Sequence, residues 1–220
     1  MLYETQGEKM RFKHNLKSYM LVMILGLIAG FITRLSDLFP DDTLWSLSSI
    51  ATLCGFWMVT TTLVIYFSSS NINSAINVFL YLVNMNFSFY FWEGVFGFVH
   101  SQFSEIEFMN WSLFNAYTVM ALVCACIGFV LYYWNKQNKI NSFLYALPIS
   151  GLLAETIGVS IYLYNHHTYL GQFVFDFLSF IILGYWFYKK AKSKLIYIIT
   201  IIVVSLIGYF LIYHPFIGIS

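Results

Sequence analysis

The sequence predicts an all-α bundle of seven transmembrane helices, with the N-terminus inside and the C-terminus outside. Hydrophobic residues make up 60% of the 220-residue chain and charged residues only 10%, against about 45–50% and about 25% in an ordinary soluble domain. This composition excludes a soluble globular protein and a disordered one. It also excludes a nucleic-acid-binding protein, which needs a basic surface, because the formal net charge is +1.

Seven apolar runs approach or exceed the length of about 17–25 residues that a membrane-spanning helix needs. The first run follows a basic tail, residues 1–17, and no small-x-small cleavage site comes after it. We therefore interpret this run as a retained span and not as a signal peptide. The predicted spans are residues 18–33, 44–67, 75–99, 111–134, 142–164, 172–188 and 195–213, followed by an outer tail at 214–220.

Short polar segments set the boundaries of these runs. Residues 68–74, 135–141 and 165–171 are polar turns, and 189–194 (KKAKSK) separates the last two spans. The runs do not alternate between polar and apolar residues, as membrane strands would. Each run is therefore predicted to be a helix, since irregular backbone in lipid would leave polar groups unpaired.

The orientation follows from the distribution of lysine and arginine, which concentrate on the cytoplasmic side of membrane proteins. With the N-terminus inside, the outer segments hold only Arg34, and the inner segments hold the other ten basic residues. We expect the membrane to be a bacterial cytoplasmic membrane, so that its lipid bilayer is one predicted partner of the chain. The ten inner residues are Lys9, Arg11, Lys13, Lys17, Lys136, Lys139, Lys189, Lys190, Lys192 and Lys194.

Three acidic residues fall inside predicted spans: Glu93, Glu155 and Asp176. An ionisable group within the membrane usually faces the bundle interior or a water-filled cavity. All three lie in the outer halves of their spans, which predicts an acidic cavity open to the outside. Such a cavity would bind a cation or a cationic small molecule, or would couple to protons. The structural alternative is that Arg34 pairs with one carboxylate while histidines or amides satisfy the others.

Polar and aromatic residues accompany these acids. Asn86, Tyr90 and Trp92 lie near Glu93 on the third span, and Tyr162 lies two turns beyond the acid of the fifth span. Aromatic faces beside a carboxylate can hold an organic cation, so these residues are candidate ligand-binding residues together with Arg34. The alternative is a set of lipid-facing aromatic side chains around one packed glutamate.

No motif in the sequence indicates a catalytic reaction or a cofactor. The phosphate loop, the dinucleotide fingerprint and the H-E-x-x-H zinc motif are missing, and so is the G-x-S-x-G nucleophile motif. Cys54, Cys124 and Cys126 have no metal-ligand spacing with a histidine, and we expect no metal site. Glu155 and Asp176 would form an acid dyad only if their carboxyl groups lie close together, since shared-proton pairs are about 3 Å apart.

Ser150, Ala154 and Gly158 form a row of small residues on the fifth span. Such rows let another helix approach closely. The row predicts close helix packing, and with it either self-association or contact with another membrane subunit.

Two stretches carry a family resemblance. Gly30–Thr60 (GFITRLSDLFPDDTLWSLSSIATLCGFWMVT) and Tyr145–Gly158 (YALPISGLLAETIG) resemble a family of small uncharacterised bacterial multi-pass proteins over about half the chain. The outer-half site is also similar in plan to the substrate-binding subunits of energy-coupling-factor vitamin importers. Those proteins typically have six spans, bind cargo near the outer face and contact their partner through small-residue helices. This resemblance implies a transport role.

Three functional hypotheses follow. The leading one is an integral-membrane transport or solute-binding component with an outward-facing acidic and aromatic site for a small, cationic solute. The second is a non-catalytic accessory, immunity or assembly subunit of a larger membrane complex. The third is an intramembrane enzyme, which the absence of catalytic motifs makes the weakest.

Overall fold

The computed structural model describes residues 11–48, 50, 53–99, 109–135 and 138–214, without the side chains of residues 98 and 99. These residues form seven α-helices and no strand beyond one isolated bridge between Phe12 and Ser68. A 3₁₀ turn, Tyr132–Asn135, follows the fourth helix, and a π-helical turn, Tyr209–Tyr213, follows the seventh. The helices are α1 (Leu16–Ser36), α2 (Gly55–Phe67), α3 (Asn71–Val99), α4 (Trp111–Leu131), α5 (Ile140–His166), α6 (Leu170–Lys190) and α7 (Lys194–Gly208).

Five of the helical stretches in the described part of the chain are long and apolar enough to cross a membrane. They confirm the all-α prediction and are compatible with an integral, multi-pass membrane protein. With the 3₁₀ and π-helical turns included, six of the seven predicted spans agree with a helix to within four residues at each end. The five stretches are Leu16–Ser36, Trp111–Asn135, Ile140–His166, Leu170–Lys190 and Lys194–Tyr213.

The second predicted span differs from the structure. A helix was expected from Leu44, but α2 begins at Gly55 and has 13 residues. At 1.5 Å per residue it is about 20 Å long, which is shorter than the roughly 30 Å of a bilayer's hydrocarbon core. Residues 44–48 form turns, in which the hydroxyls of Ser46 and Ser48 are 2.9 Å apart. Local serine hydrogen bonds of this kind compete with helix formation. Residues 49, 51 and 52 lie outside the described part.

Helix α3 is long enough to cross a membrane but is more polar than the five apolar stretches. It has 29 residues, among them five asparagines. Asn73 and Asn77 are fully buried, and the Nδ2 of Asn77 donates to Ser68 Oγ at 2.9 Å and to Asn73 Oδ1 at 3.2 Å. Asparagines of α3 thus bond inside the protein, as interhelical and intrahelical polar contacts in membrane bundles do.

The chain divides into two compact units, Met1–Ile32 with Leu63–Tyr132, and Thr33–Thr62 with Tyr133–Ser220. In unit 1, α1 packs closely on α3. A Cβ at Gly30 would overlap the carbonyl oxygen of Met85 and lie 2.8 Å from Ser88 Cβ. The hydroxyl of Ser88 donates to the carbonyl oxygen of Leu27 at 2.7 Å. Glycine therefore allows the two helix backbones to approach to within hydrogen-bonding reach of a serine side chain.

In unit 2, α5 is the helix that contacts both α6 and α7. The row of small residues on α5 is buried and lies against the last helical segment: a Cβ at Gly208 would be 3.3 Å from Ala154 Cβ, and a Cβ at Gly158 would be 2.9 Å from the Tyr213 side chain. Ser150 is fully buried. The predicted close helix packing is confirmed, and within this chain the row is covered by α7 and the π-helical turn.

The other end of unit 2 is held by an aromatic cluster and by backbone hydrogen bonds. The rings of Trp134 and Tyr145 stack at 5.1 Å, and Phe187 lies 4.9 Å from the Tyr145 ring. Ser193 N–H, in the turn between α6 and α7, donates to Ser142 Oγ near the start of α5 at 2.7 Å. These contacts fix the start of α5, the end of α6 and the turn before α7 relative to one another, at the end of these helices away from Glu155 and Asp176.

Candidate functional site

Glu155 of α5 and Asp176 of α6 come together in unit 2. The two helices are consecutive and are joined by a three-residue turn, in which His167 and Tyr169 have left-handed backbone conformations. Gln172 lies one turn before Asp176 and joins the two acids. Its Nε2 is 3.3 Å from Glu155 Oε1 and 2.8 and 2.9 Å from the two carboxylate oxygens of Asp176.

These distances limit the separation of the acids. Glu155 Oε1 and Asp176 Oδ1 can be no further apart than the sum of 3.3 and 2.8 Å, about 6.1 Å. The carboxyl groups therefore interact through one bridging amide group, and their separation is within the range in which two carboxyl groups influence each other's ionisation. The two carboxyl groups are thus close neighbours that share one amide donor.

Glu155 accepts further hydrogen bonds from two distant segments of the chain. The N–H of Gly55 donates to Oε1 at 2.7 Å, and the Tyr213 hydroxyl donates to Oε2 at 2.7 Å. Gly55 is the first residue of α2, where backbone N–H groups lack partners within the helix and where the helix dipole favours a negative charge. Glu155 therefore caps the short helix α2 and anchors the π-helical turn that carries Tyr213.

Asp176 has a sparser set of partners than Glu155. Within the described residues, the hydrogen bonds to its carboxylate come from Gln172 Nε2. The α carbon of Gly55 lies close by, because a Cβ there would overlap Asp176 Oδ1 and come within 2.9 Å of its Cγ. The pair is therefore asymmetric: one carboxylate is surrounded by donors, and the other relies on one amide.

The site is closed off from solvent. Glu155, Asp176 and Gln172 each have 0% of their surface exposed, and neither acid forms an ion pair within the described part of the chain. Two buried negative charges without a cation are energetically costly. We therefore expect the pair to be compensated by a proton or by a bound cation.

The amide of Gln172 has one unused group. Its Nε2 faces the carboxylates, whereas its Oε1 is buried and has no hydrogen-bond partner among the residues described. A buried polar atom without a partner costs about 1–3 kcal/mol and often marks a functional site. The unpartnered oxygen lies on a side chain that already reaches into the acid pair.

Comparison of the chain with protein-family models, with curated proteins and with solved structures found no match. The chemistry of the site must therefore be inferred from its own groups. Across the described residues, no set of three or more His, Cys, Asp or Glu side chains is placed to hold a metal ion. Two carboxyl groups and one amide can bind and release a proton or coordinate a small cation.

Arg34, a predicted site residue, lies in the last turn of α1 and pairs with a loop acid. Its Nη1 is 2.7 Å from Asp37 Oδ2, and the arginine is 2% exposed. Burial raises the pKa of the Asp37 carboxyl; the charge of Arg34 opposes this shift, and the nearby Asp41 adds to it. The ion pair of Arg34 is thus with a residue outside the predicted spans.

The four candidate residues on α3 belong to unit 1. Tyr90 is buried, its ring 6.3 Å from that of Tyr117, and the Trp92 ring lies 4.9 Å from that of Phe31. Asn86 is buried and Glu93 is half-buried.

Tyr162, the remaining candidate, takes part in an aromatic stack next to the turn between α5 and α6. Its ring is 4.2 Å from the ring of His166 and 5.3 Å from that of Tyr169. The stack packs the end of α5 against the start of α6, and so helps to hold in place the turn that brings Gln172 to the acids.

Three residues of the site were not predicted as site residues: Gln172, Tyr213 and Gly55. Gln172 had a signal, because it lies four residues before Asp176 and residues at this spacing share a helix face. Tyr213, one of 17 tyrosines, and Gly55 had none, since their contacts with Glu155 span 58 and 100 residues of sequence.

Proposed function

We propose that this chain is an integral-membrane transport component in which Glu155 and Asp176 bind a small cation, a proton or a metal ion, within the membrane. The observation that supports this proposal is the fully buried carboxyl pair, bridged by one amide and without an ion-pair partner in the described residues. Intramembrane acids of this kind mark ion pathways and proton relays.

The short helix α2 adds a second argument. In many transporters the binding site is formed by discontinuous helices, whose free ends supply backbone donors and acceptors near the middle of the membrane. The 13-residue α2 is too short to span a bilayer alone, and its first N–H donates to Glu155. A helix that is too short to span the bilayer, and whose N-terminus bonds to a carboxylate within the membrane, is typical of a site that must bind and release an ion.

The packing of the pair favours a ligand of atomic size. Gln172 and the two acids have no exposed surface, and the space beside Asp176 does not admit even one methyl group on Gly55. An organic cation would need a cavity large enough for several heavy atoms.

We propose seven membrane segments, with α2 as a partial one, an inside N-terminus and an outside C-terminus in a bacterial cytoplasmic membrane. The support for this orientation is the ratio of ten inner basic residues to one outer basic residue, which follows the positive-inside rule.

Ligand-dependent thermal unfolding of the purified full chain in detergent tests the proposed function. Melting temperatures of the wild type, Glu155→Gln, Asp176→Asn and, as a unit 1 comparison, Glu93→Gln would be recorded against pH. They would also be recorded against Na⁺, K⁺ and tetramethylammonium at constant ionic strength. We expect the wild type and Glu93→Gln to respond to pH or to one metal cation, and both unit 2 variants to lose that response. Equal responses in all four proteins would contradict the proposal.

A second candidate is the non-catalytic accessory subunit, and one observation favours it. Glu155 receives hydrogen bonds from α2, from α6 and from the π-helical turn, so it also links three parts of unit 2 structurally. In that case Glu155→Gln would lower stability with no response to pH or cations in any variant. A stoichiometric partner would then co-purify with the protein in mild detergent.

A further inference from the structure

We propose that the ligand of the carboxyl pair is a proton and that Asp176 takes it up while Glu155 remains ionised, with the Gln172 amide bonded to both acids. This inference rests on the proposed function, because it names the cation of that site. It assigns different roles to two acids that lie within about 6.1 Å of each other, the sum of 3.3 and 2.8 Å.

The hydrogen-bond donors around the two acids differ in number. Glu155 accepts from a backbone N–H, a tyrosine hydroxyl and the Gln172 amide. Donors directed at a carboxylate favour its ionised form. Asp176 accepts from the amide of Gln172 alone among the described groups, and it lies beside the negative charge of Glu155. When two neighbouring acids have environments this different, the less solvated one holds the proton.

The contacts of the Gln172 amide suit an ionised Asp176. Gln172 Nε2 is 2.8 and 2.9 Å from both oxygens of Asp176, and an ionised carboxylate offers acceptors only. Protonation converts one of these oxygens into an O–H donor. Nε2 can then keep its hydrogen bonds to the other oxygen of Asp176 and to the ionised Glu155.

The Oε1 of Gln172 is buried and has no partner in the described structure, so the amide that joins the two acids has a free acceptor. The balance of the step is simple: one proton adds to one Asp176 oxygen, no other bond to hydrogen breaks, and the net charge of the pair changes from −2 to −1.

Two titratable groups interact electrostatically with Asp176: Glu155 from α5 and Tyr213 from the π-helical turn. Glu155 is the second acid, and the Tyr213 hydroxyl donates a hydrogen bond to it. Across the described residues, no set of three or more His, Cys, Asp or Glu side chains is placed to hold a metal ion, whereas a proton needs one acceptor.

Infrared difference spectroscopy of the full chain during a pH titration tests the assignment. A protonated carboxyl group has a C=O stretching band that is separate from carboxylate bands and shifts in heavy water. The other acids, Asp37 among them, give bands of this kind in every variant. We expect one further band on acidification in the wild type, in Glu155→Gln and in Glu93→Gln, and its loss in Asp176→Asn. In Gln172→Met, which keeps the side-chain length but removes the amide, the band should persist at a shifted frequency.

Four outcomes distinguish the two proposals. Loss of the band in Asp176→Asn together with its shift in Gln172→Met supports the proton inference. Persistence of the band in Asp176→Asn, or an unshifted band in Gln172→Met, overturns the assignment to Asp176 or the role of the amide. No Asp176-dependent acid band but an Asp176-dependent stabilisation by Na⁺ or K⁺ overturns the proton and keeps the transport proposal. Neither an Asp176-dependent acid band nor an ion response overturns both.

Discussion

Gly55→Ala places the smallest possible side chain directly beside the acid pair. Gly55 has no positive φ angle, so its backbone conformation is open to alanine. The effect of the substitution is therefore steric: the new Cβ would overlap Asp176 Oδ1 and lie 2.9 Å from Asp176 Cγ and 3.0 Å from Gln172 Nε2. Asp176 is short and buried, so its carboxylate can move only by leaving the amide or by displacing α6.

The expected cost follows from these contacts. Overpacking of a tight interior costs about 1–3 kcal/mol, and loss of a hydrogen bond to a charged group costs about 1.5–3 kcal/mol. Alanine in place of glycine near a helix start returns about 0.5–1 kcal/mol. The net destabilisation should be roughly 2–5 kcal/mol, which for a chain of this size lowers the melting temperature by at least about 4 °C.

Thermal unfolding in detergent measures this cost, and Gly184→Ala is the matched control. Gly184 lies in α6 of the same unit, and a Cβ there would be 3.5 Å from Ile149 Cγ2, an ordinary van der Waals contact. We expect this control to be as stable as the wild type or slightly more stable, because alanine favours the helix. In the titrations described above, only Gly55→Ala should change the pH response.

One result would refute the reasoning. If Gly55→Ala and Gly184→Ala unfold at the same temperature and keep the wild-type pH response, the carboxylate of Asp176 does not depend on close packing against α2. The arrangement of a short helix that caps one acid and confines the other would then not be the basis of the site.

Two further predictions concern other parts of the molecule. Gly30→Ala should lower the melting temperature by several degrees, because the new Cβ would meet the backbone carbonyl of Met85 and force α1 away from α3, at a cost of about 1–3 kcal/mol; an unchanged melting temperature would contradict this contact. The Asp37 carboxyl, whose pKa is raised above its ordinary 3.8 by burial, binds more protons in the folded state than in the unfolded one. Its contribution to stability should thus be present below that value and be lost as the pH rises through the folded-state pKa. The difference in melting temperature between the wild type and Asp37→Asn, followed over that pH range, should fall accordingly, and a difference that rises with pH would contradict the prediction.

The membrane helices were largely predictable because hydropathy is a local property of the sequence. Uninterrupted apolar runs with polar turns between them indicate α5, α6 and α7 without any knowledge of their partners. The second span was the exception. The predicted span from Leu44 includes serines that form local hydrogen bonds in turns. Hydropathy does not distinguish a turn in a mostly apolar segment from a helix.

Membership of the site was only partly predictable. Glu155 and Asp176 were identified because ionisable residues are rare in spans, and their pairing agrees with their positions on adjacent helices. The partners Gly55 and Tyr213 depend on contacts across 100 and 58 residues, which one sequence does not reveal. Glu93 carried the same signal and lies in unit 1. The position of an acid in a span does not tell which other polar groups it contacts.

The glycines of α1 show the same limit of a single sequence. Gly26 and Gly30 are four residues apart, a spacing that favours close helix contact in membranes. The structure shows that α3 is the partner of both, whereas the sequence contains no information on which helix fills such a groove.

The direct succession of α5 and α6 has a consequence for how the chain enters the membrane during synthesis. A lone helix carrying an acid near its centre inserts at a cost of about 2.5–3.5 kcal/mol per acid. Here Glu155, Asp176 and the amide between them lie on one helical hairpin with a three-residue turn. The hairpin can therefore enter lipid as one unit, with its acids already bonded to Gln172. The donors from Gly55 and Tyr213 would then join during later assembly, so that the same amide that serves the mature site first makes insertion of its two acids less costly.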